Sequence, residues 1–83
     1  MNVILVENIL IGEIVGIYST LEKAKMAIIK VEQKLLEDDT LPKELADEIR
    51  QEIEEAKKVN EIEALNDIFI DEFWIGEIEV DAE

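Results

Sequence analysis

The chain contains no cysteine and no histidine, a single proline, a single arginine and four aromatic residues in a length of 83. Each absence removes a class of chemistry. Without cysteine there is neither a disulfide framework nor a thiolate nucleophile, and the redox compartment is left open. Without histidine the commonest general base and the usual transition-metal ligand are gone. Ser19, Thr20 and Thr40 are the only Ser or Thr hydroxyls, and no histidine stands by to activate them. Long apolar runs are missing too. Val3–Val6 and Ile9–Ile11 fall far short of the ~20 residues of a membrane span, and the first residues lack the basic region of a signal peptide, so the chain reads as a soluble, cytoplasmic protein.

Positive charge is also scarce, and unevenly so. Residues 1–36 carry four Lys against four Glu, whereas residues 61–83 carry nine carboxylates and no basic residue. The formal net charge is −14. Such a field repels nucleic acid and anionic lipid and attracts basic protein surfaces, so neither nucleic acid nor a membrane is an expected partner. A hydrophobic content of 48% is nevertheless too high for a disordered acidic tail. The chain reads as one ordered acidic domain over residues 1–83. At this length it buries only roughly 60–65% of its unfolded surface, which makes self-association a reasonable source of additional core.

Val3–Ile4–Leu5–Val6 predicts a strand that is central in its sheet or buried on both faces. Glu13–Tyr18 predicts a second strand in hairpin with the first, with Gly16 marking a bulge or a close approach. Ser19–Thr20–Leu21–Glu22 fits a capping box with Ser19 as cap, and opens a helix with Leu21, Ala24, Ile28, Val31 and Leu35 on its apolar stripe. Lys23, Lys25, Lys30 and Lys34 are expected to face solvent, and the width of the stripe calls for two packing partners. Thr40 and Pro42 suit the start of a second helix, whose thin seam is Leu41, Leu45, Ile49, Ile53, Ala56 and Val59. Ile68–Ile75 is aromatic and β-branched and predicts a strand, and beyond Gly76 the alternation of Glu77–Glu83 predicts another. The fold class is therefore α+β: an antiparallel sheet of three to four strands with a helical hairpin packed on one face, in the order β-β-α-α-β-β.

Val3–Val6 with Ile14–Ala24, and later Ile70–Phe73, resembles a group of small domains of unknown function from bacteria and their phages. Their pattern is strand, strand, a helix opened by Ser and an E-K-A run, then a closing strand. The resemblance implies an α+β fold and a possible phage origin, and it carries over no functional residue.

No metal site and no cofactor is expected. Glu37–Asp38–Asp39–Thr40 is the one dense acidic loop and lacks the alternating acids and turn glycine of a calcium loop, so it reads as a linker and cap. Asp71–Glu72 beside Phe73 and Trp74 is where apolar neighbours could raise a carboxyl pKa, although 22 acids in 83 residues make such adjacency common. No catalytic residue is assigned, and the chain is expected not to be an enzyme. Two surfaces carry the functional expectation. Glu44, Asp47, Glu48, Glu52 and Glu55 on the second helix, with Glu77, Glu79 and Asp81 recurring about every 6.6 Å along the last strand, form the acidic rows of a nucleic-acid mimic. This predicts a non-enzymatic inhibitor, phage-encoded if the resemblance holds, that occupies the basic or nucleic-acid-binding surface of a host defence or transcription protein in the host cytoplasm. The alternative is a structural or adaptor domain that self-associates as a homodimer or binds a partner through apolar surface around Trp74, with charge serving only solubility.

Overall fold

A computed structural model describes residues 1–80. The fold is α+β: β1 (Asn2–Asn8), β2 (Glu13–Tyr18), α1 (Leu21–Leu35), α2 (Lys43–Lys58), α3 (Ile62–Ile68) and β3 (Phe73–Glu79). The strands form one antiparallel sheet in the order β2-β1-β3, which makes β1 central as its unbroken apolar run predicts. Asp81, and with it the end of the expected last strand, lies outside the described residues.

Asn8 sets the hairpin turn by accepting a hydrogen bond from the Leu10 N–H at 3.0 Å, and Gly12 closes it with φ of 69°, a conformation that L side chains rarely adopt. Val6 pairs with Gly16 and Glu7 with Ile14, so Val15 is an extra residue that bulges β2 and turns toward the core. Gly16 is a close approach as expected: a Cβ there would stand 2.5 Å from the Tyr18 hydroxyl.

The register puts Ile4, Val6, Phe73 and Ile75 on the face that the helices cover, where all four are buried. Against them pack Ala24, Ile28 and Ile29 of α1, with Ile49, Ile53 and Ala56 of α2 behind and Leu65 of α3 alongside. α1 thus has two packing partners, the sheet and α2. The opposite face of the sheet is bare. At 18 Å the molecule's thinnest dimension is the depth of one sheet plus one helical layer, so β1 is covered on one face and not on two.

Several local expectations are corrected. Thr20, not Ser19, caps α1: its hydroxyl accepts from the Lys23 N–H at 3.2 Å, while Ser19 accepts from the Lys23 ammonium. The cap of α2 is Pro42, and Thr40 instead donates its hydroxyl to Asp38 at 2.7 Å. The buried stripe of α1 is rotated to Ala24, Lys25, Ile28, Ile29 and Glu32, leaving Leu35 exposed and Lys25 inside. Residues 62–68 are helix, so the strand expected over Ile68–Ile75 begins only at Phe73; tertiary burial of Leu65 and Phe69 overrides local β-propensity. Gly76 does not interrupt the chain's return. β3 runs straight through it as one strand, and the Trp74 ring lies across its missing side chain.

Candidate functional site

Two features stand out: a cluster of carboxylates inside the helical layer, and the bare face of the sheet. The cluster begins with α1. Ala24, Ile28 and Glu32 follow at four-residue intervals on its innermost line, and all three are fully closed from solvent. Glu52 of α2 stands next to the buried Ile53 and turns toward α1. Glu72 belongs to the turn between α3 and β3, held there by its N–H to the Phe69 carbonyl and by the Ile9 N–H on its own carbonyl. Carboxylate oxygens of Glu32, Glu52 and Glu72 all lie within 4.8 Å of one another.

No donor reaches either oxygen of Glu32. The hydrogen bond open to it is one that Glu32 itself donates, once protonated, to Glu72. Burial pushes its pKa up to about 9, and Glu72 and then Glu52 add to the rise. The same forces hold Glu52 at about 7: burial first, then the charges of Glu72, Glu48 and Glu55. The three ion pairs among the described residues, Lys25–Glu22, Arg50–Asp47 and Lys57–Glu54, leave this cluster without a cation. It opens on a groove of about 390 Å³ with apolar walls from Leu10, Leu41 and Phe69, and with Glu48, Glu52 and Glu72 among its lining.

The expected acidic residues divide between distant places. Glu44, Asp47, Glu48 and Glu55 are exposed on α2, with Asp47 paired to Arg50 at 3.1 Å, while Glu52 is half-buried in the cluster. Glu77 pairs with Ile4 and Glu79 with Asn2, which puts both acids on the helix side of the sheet and at the end away from Glu72. Both are exposed, and Asn2 donates its side-chain amide to Glu77. Five residues of strand separate Glu72 from Glu77, about 17 Å. α2 ends beside Lys25, on the early part of α1, and its last two residues there are Lys57 and Lys58. The structure brings Glu48 and Glu52 together with Glu72, but does not join the α2 row to the β3 pair.

Glu32 was not a candidate from sequence, although a signal was present: an acid exactly in phase with Ala24 and Ile28 on an amphipathic helix breaks the binary pattern.

On the bare face of the sheet the register places Val3 and Leu5 of β1, Ile14 and Ile17 of β2, and Trp74 and Ile78 of β3. Ile14 and Ile17 are each more than 60% exposed and Trp74 is 48% exposed, folded over Gly76 so that a Cβ there would meet its ring at 2.2 Å. Glu7 is the one acid that the register adds to this face. No helix among the described residues is long and apolar enough to cross a membrane. No protein-family model, curated protein or solved structure matches this chain.

Proposed function

We propose that this chain is a non-enzymatic structural or adaptor domain that pairs with a second copy of itself through the bare face of its sheet. One observation carries this. In a chain with 22 acids, a whole sheet face holds six large apolar side chains and only Glu7 in charge. Apolar surface of this extent on a small acidic protein marks an interaction site. The occupant follows from charge. A basic partner would gain nothing from an uncharged face, whereas two copies stacked sheet to sheet turn their acids outward and meet where mutual repulsion is least. Trp74 is the anchor, a flat aromatic over a glycine, with Ile14 and Ile17 completing the patch.

Sedimentation equilibrium tests this. The expected outcome is a dimer at tens of micromolar, held or tightened as salt screens the −14 charges, and a folded monomer for Trp74→Glu. A wild-type chain that remains monomeric at several hundred micromolar overturns the proposal.

A second reading is the anionic inhibitor of a basic host protein, supported by Glu44, Asp47, Glu48 and Glu55 standing exposed along α2. Its mark is the opposite salt response. Capture of a basic protein from bacterial lysate should be lost at high salt and after reversing these four charges, and a loss of no more than a few-fold removes this reading.

A further inference from the structure

Charge buried without a partner needs a reason, because an unpaired carboxylate in a protein interior is costly and is ordinarily relieved by a cation, a donor or a proton. Glu32 has no exposure, and no donor reaches its two oxygens. It does not stand alone. Two further carboxylates, from two other elements, converge on it to within 4.8 Å.

We propose that Glu32, Glu52 and Glu72 hold one hard divalent cation of the size of Ca²⁺ or Mn²⁺, entering through the groove beside α2. The donor set selects the class. Three carboxylates in a chain with no histidine and no cysteine offer only oxygen, which suits Ca²⁺, Mn²⁺ or Mg²⁺ and not zinc or copper. The spacing narrows it. At Ca–O distances of about 2.3–2.6 Å, oxygens on opposite sides of the ion lie about 4.6–5.2 Å apart and adjacent ones about 3.5 Å, so three oxygens within 4.8 Å of one another fall in the range of one coordination sphere. Mg²⁺, with about 2.1 Å bonds and near-ideal octahedral demands, ordinarily keeps several waters and takes one or two carboxylates, so three protein carboxylates suit it less. Charge argues against a lysine ammonium as the natural occupant: one positive charge leaves two of three carboxylates uncompensated, a divalent ion only one.

Access is part of the argument. Glu52 and Glu72 line the groove and are half-exposed, so water can complete the coordination from that side while Glu32 closes the other. The site lies in the helical layer, away from the bare sheet face, and the inference does not rest on dimerisation. Because the ligands come from α1, α2 and the turn before β3, the ion would clamp three elements that are otherwise joined by apolar packing, and binding would appear as folding stability.

The experiment is titration calorimetry of the full chain, stripped with chelator, against CaCl₂, MnCl₂ and MgCl₂ at pH 8 in 100 mM KCl, with thermal melts alongside. A chain carrying −14 gathers divalent ions loosely over its whole surface, so the comparison is among variants of equal charge: Glu32→Gln in the site and Glu77→Gln on the exposed strand. The expected result is one Ca²⁺ or Mn²⁺ per chain, with Tm raised by about 10 °C at roughly 100-fold excess over Kd. Glu77→Gln keeps this affinity and Glu32→Gln loses at least about tenfold. Equal response of the two variants, or wild-type binding that never reaches a stoichiometry of one, overturns the site. Should Glu32→Gln fail to fold, Glu52→Gln on the groove side serves the same comparison.

Discussion

Lys25 and Glu32 lie two turns apart on the buried face of one helix and meet opposite fates. Lys25 donates to the Val59 carbonyl at 2.9 Å and to the Asn60 side chain at 3.2 Å, so its ammonium neutralises the carbonyl end of α2. Glu32 finds only other acids. The pH dependence of the metal-free chain follows. Glu32 binds its proton near pH 9 when folded and near its ordinary value of 4.5 when unfolded, so between those values the folded state holds more protons. The stability this contributes is complete below about pH 4.5 and is lost as pH rises through about 9; Glu52 acts in the same sense up to about pH 7. Urea unfolding in chelator should therefore show stability falling by roughly a few kcal/mol from pH 5 to pH 9, and Glu32→Gln should flatten most of that slope. A wild-type stability that is level or rises over this range contradicts the assignment. Neither residue was legible in the sequence as buried, because a helical pattern read from apolar positions alone assigns every charge to solvent. Their phase with Ala24 and Ile28 held the information.

At the scale of elements, the parts with strong local signals were legible: the hairpin of Val3–Val6 with Glu13–Tyr18, and two helices with apolar stripes. The misplaced part was the start of the strand expected over Ile68–Ile75, where composition favours strand and three-dimensional packing delays it to Phe73. α3 is only seven residues long, and its role is visible in one side chain. Asn66 accepts from the Ile75 N–H and donates to the Ile75 carbonyl, each at 2.8 Å, and so acts as a strand partner on the outer edge of β3. Asn66→Ala leaves both part-buried backbone groups unpaired and should cost about 1–3 kcal/mol in denaturant unfolding, with faster amide exchange at Ile75. Gly12→Ala isolates a different cause. Nothing stands within 4 Å of an added Cβ there, so its expected cost of about 1–2 kcal/mol comes from the left-handed backbone alone, and an Asn at the same position should recover part of it. A neutral Gly12→Ala would show that the turn relaxes to another conformation.

The whole molecule is a two-layer structure whose charge and greasiness face opposite ways. Acids crowd the helical layer, and apolar residues occupy the sheet's outer face; the alternation of acid and apolar residues near the end of the chain announced two faces without saying which was covered. The outcome is unusual in that Glu77 and Glu79 are exposed on the helix side while Ile78, on the bare side, is exposed as well. On that face Ile14, Ile17, Trp74 and Ile78 are exposed, and if two copies cover them, as proposed, association adds to stability. Thermal stability should then depend on protein concentration, rising by several degrees between about 1 and about 100 µM, as it does when only the folded state can pair. Ile17→Glu should abolish that dependence while leaving far-UV circular dichroism unchanged at low concentration, because the side chain is already in water in the monomer and enters no core. Tm that is the same at both concentrations for wild type would mean that two copies do not cover this face, and would shift the weight to the acidic helix and a basic partner.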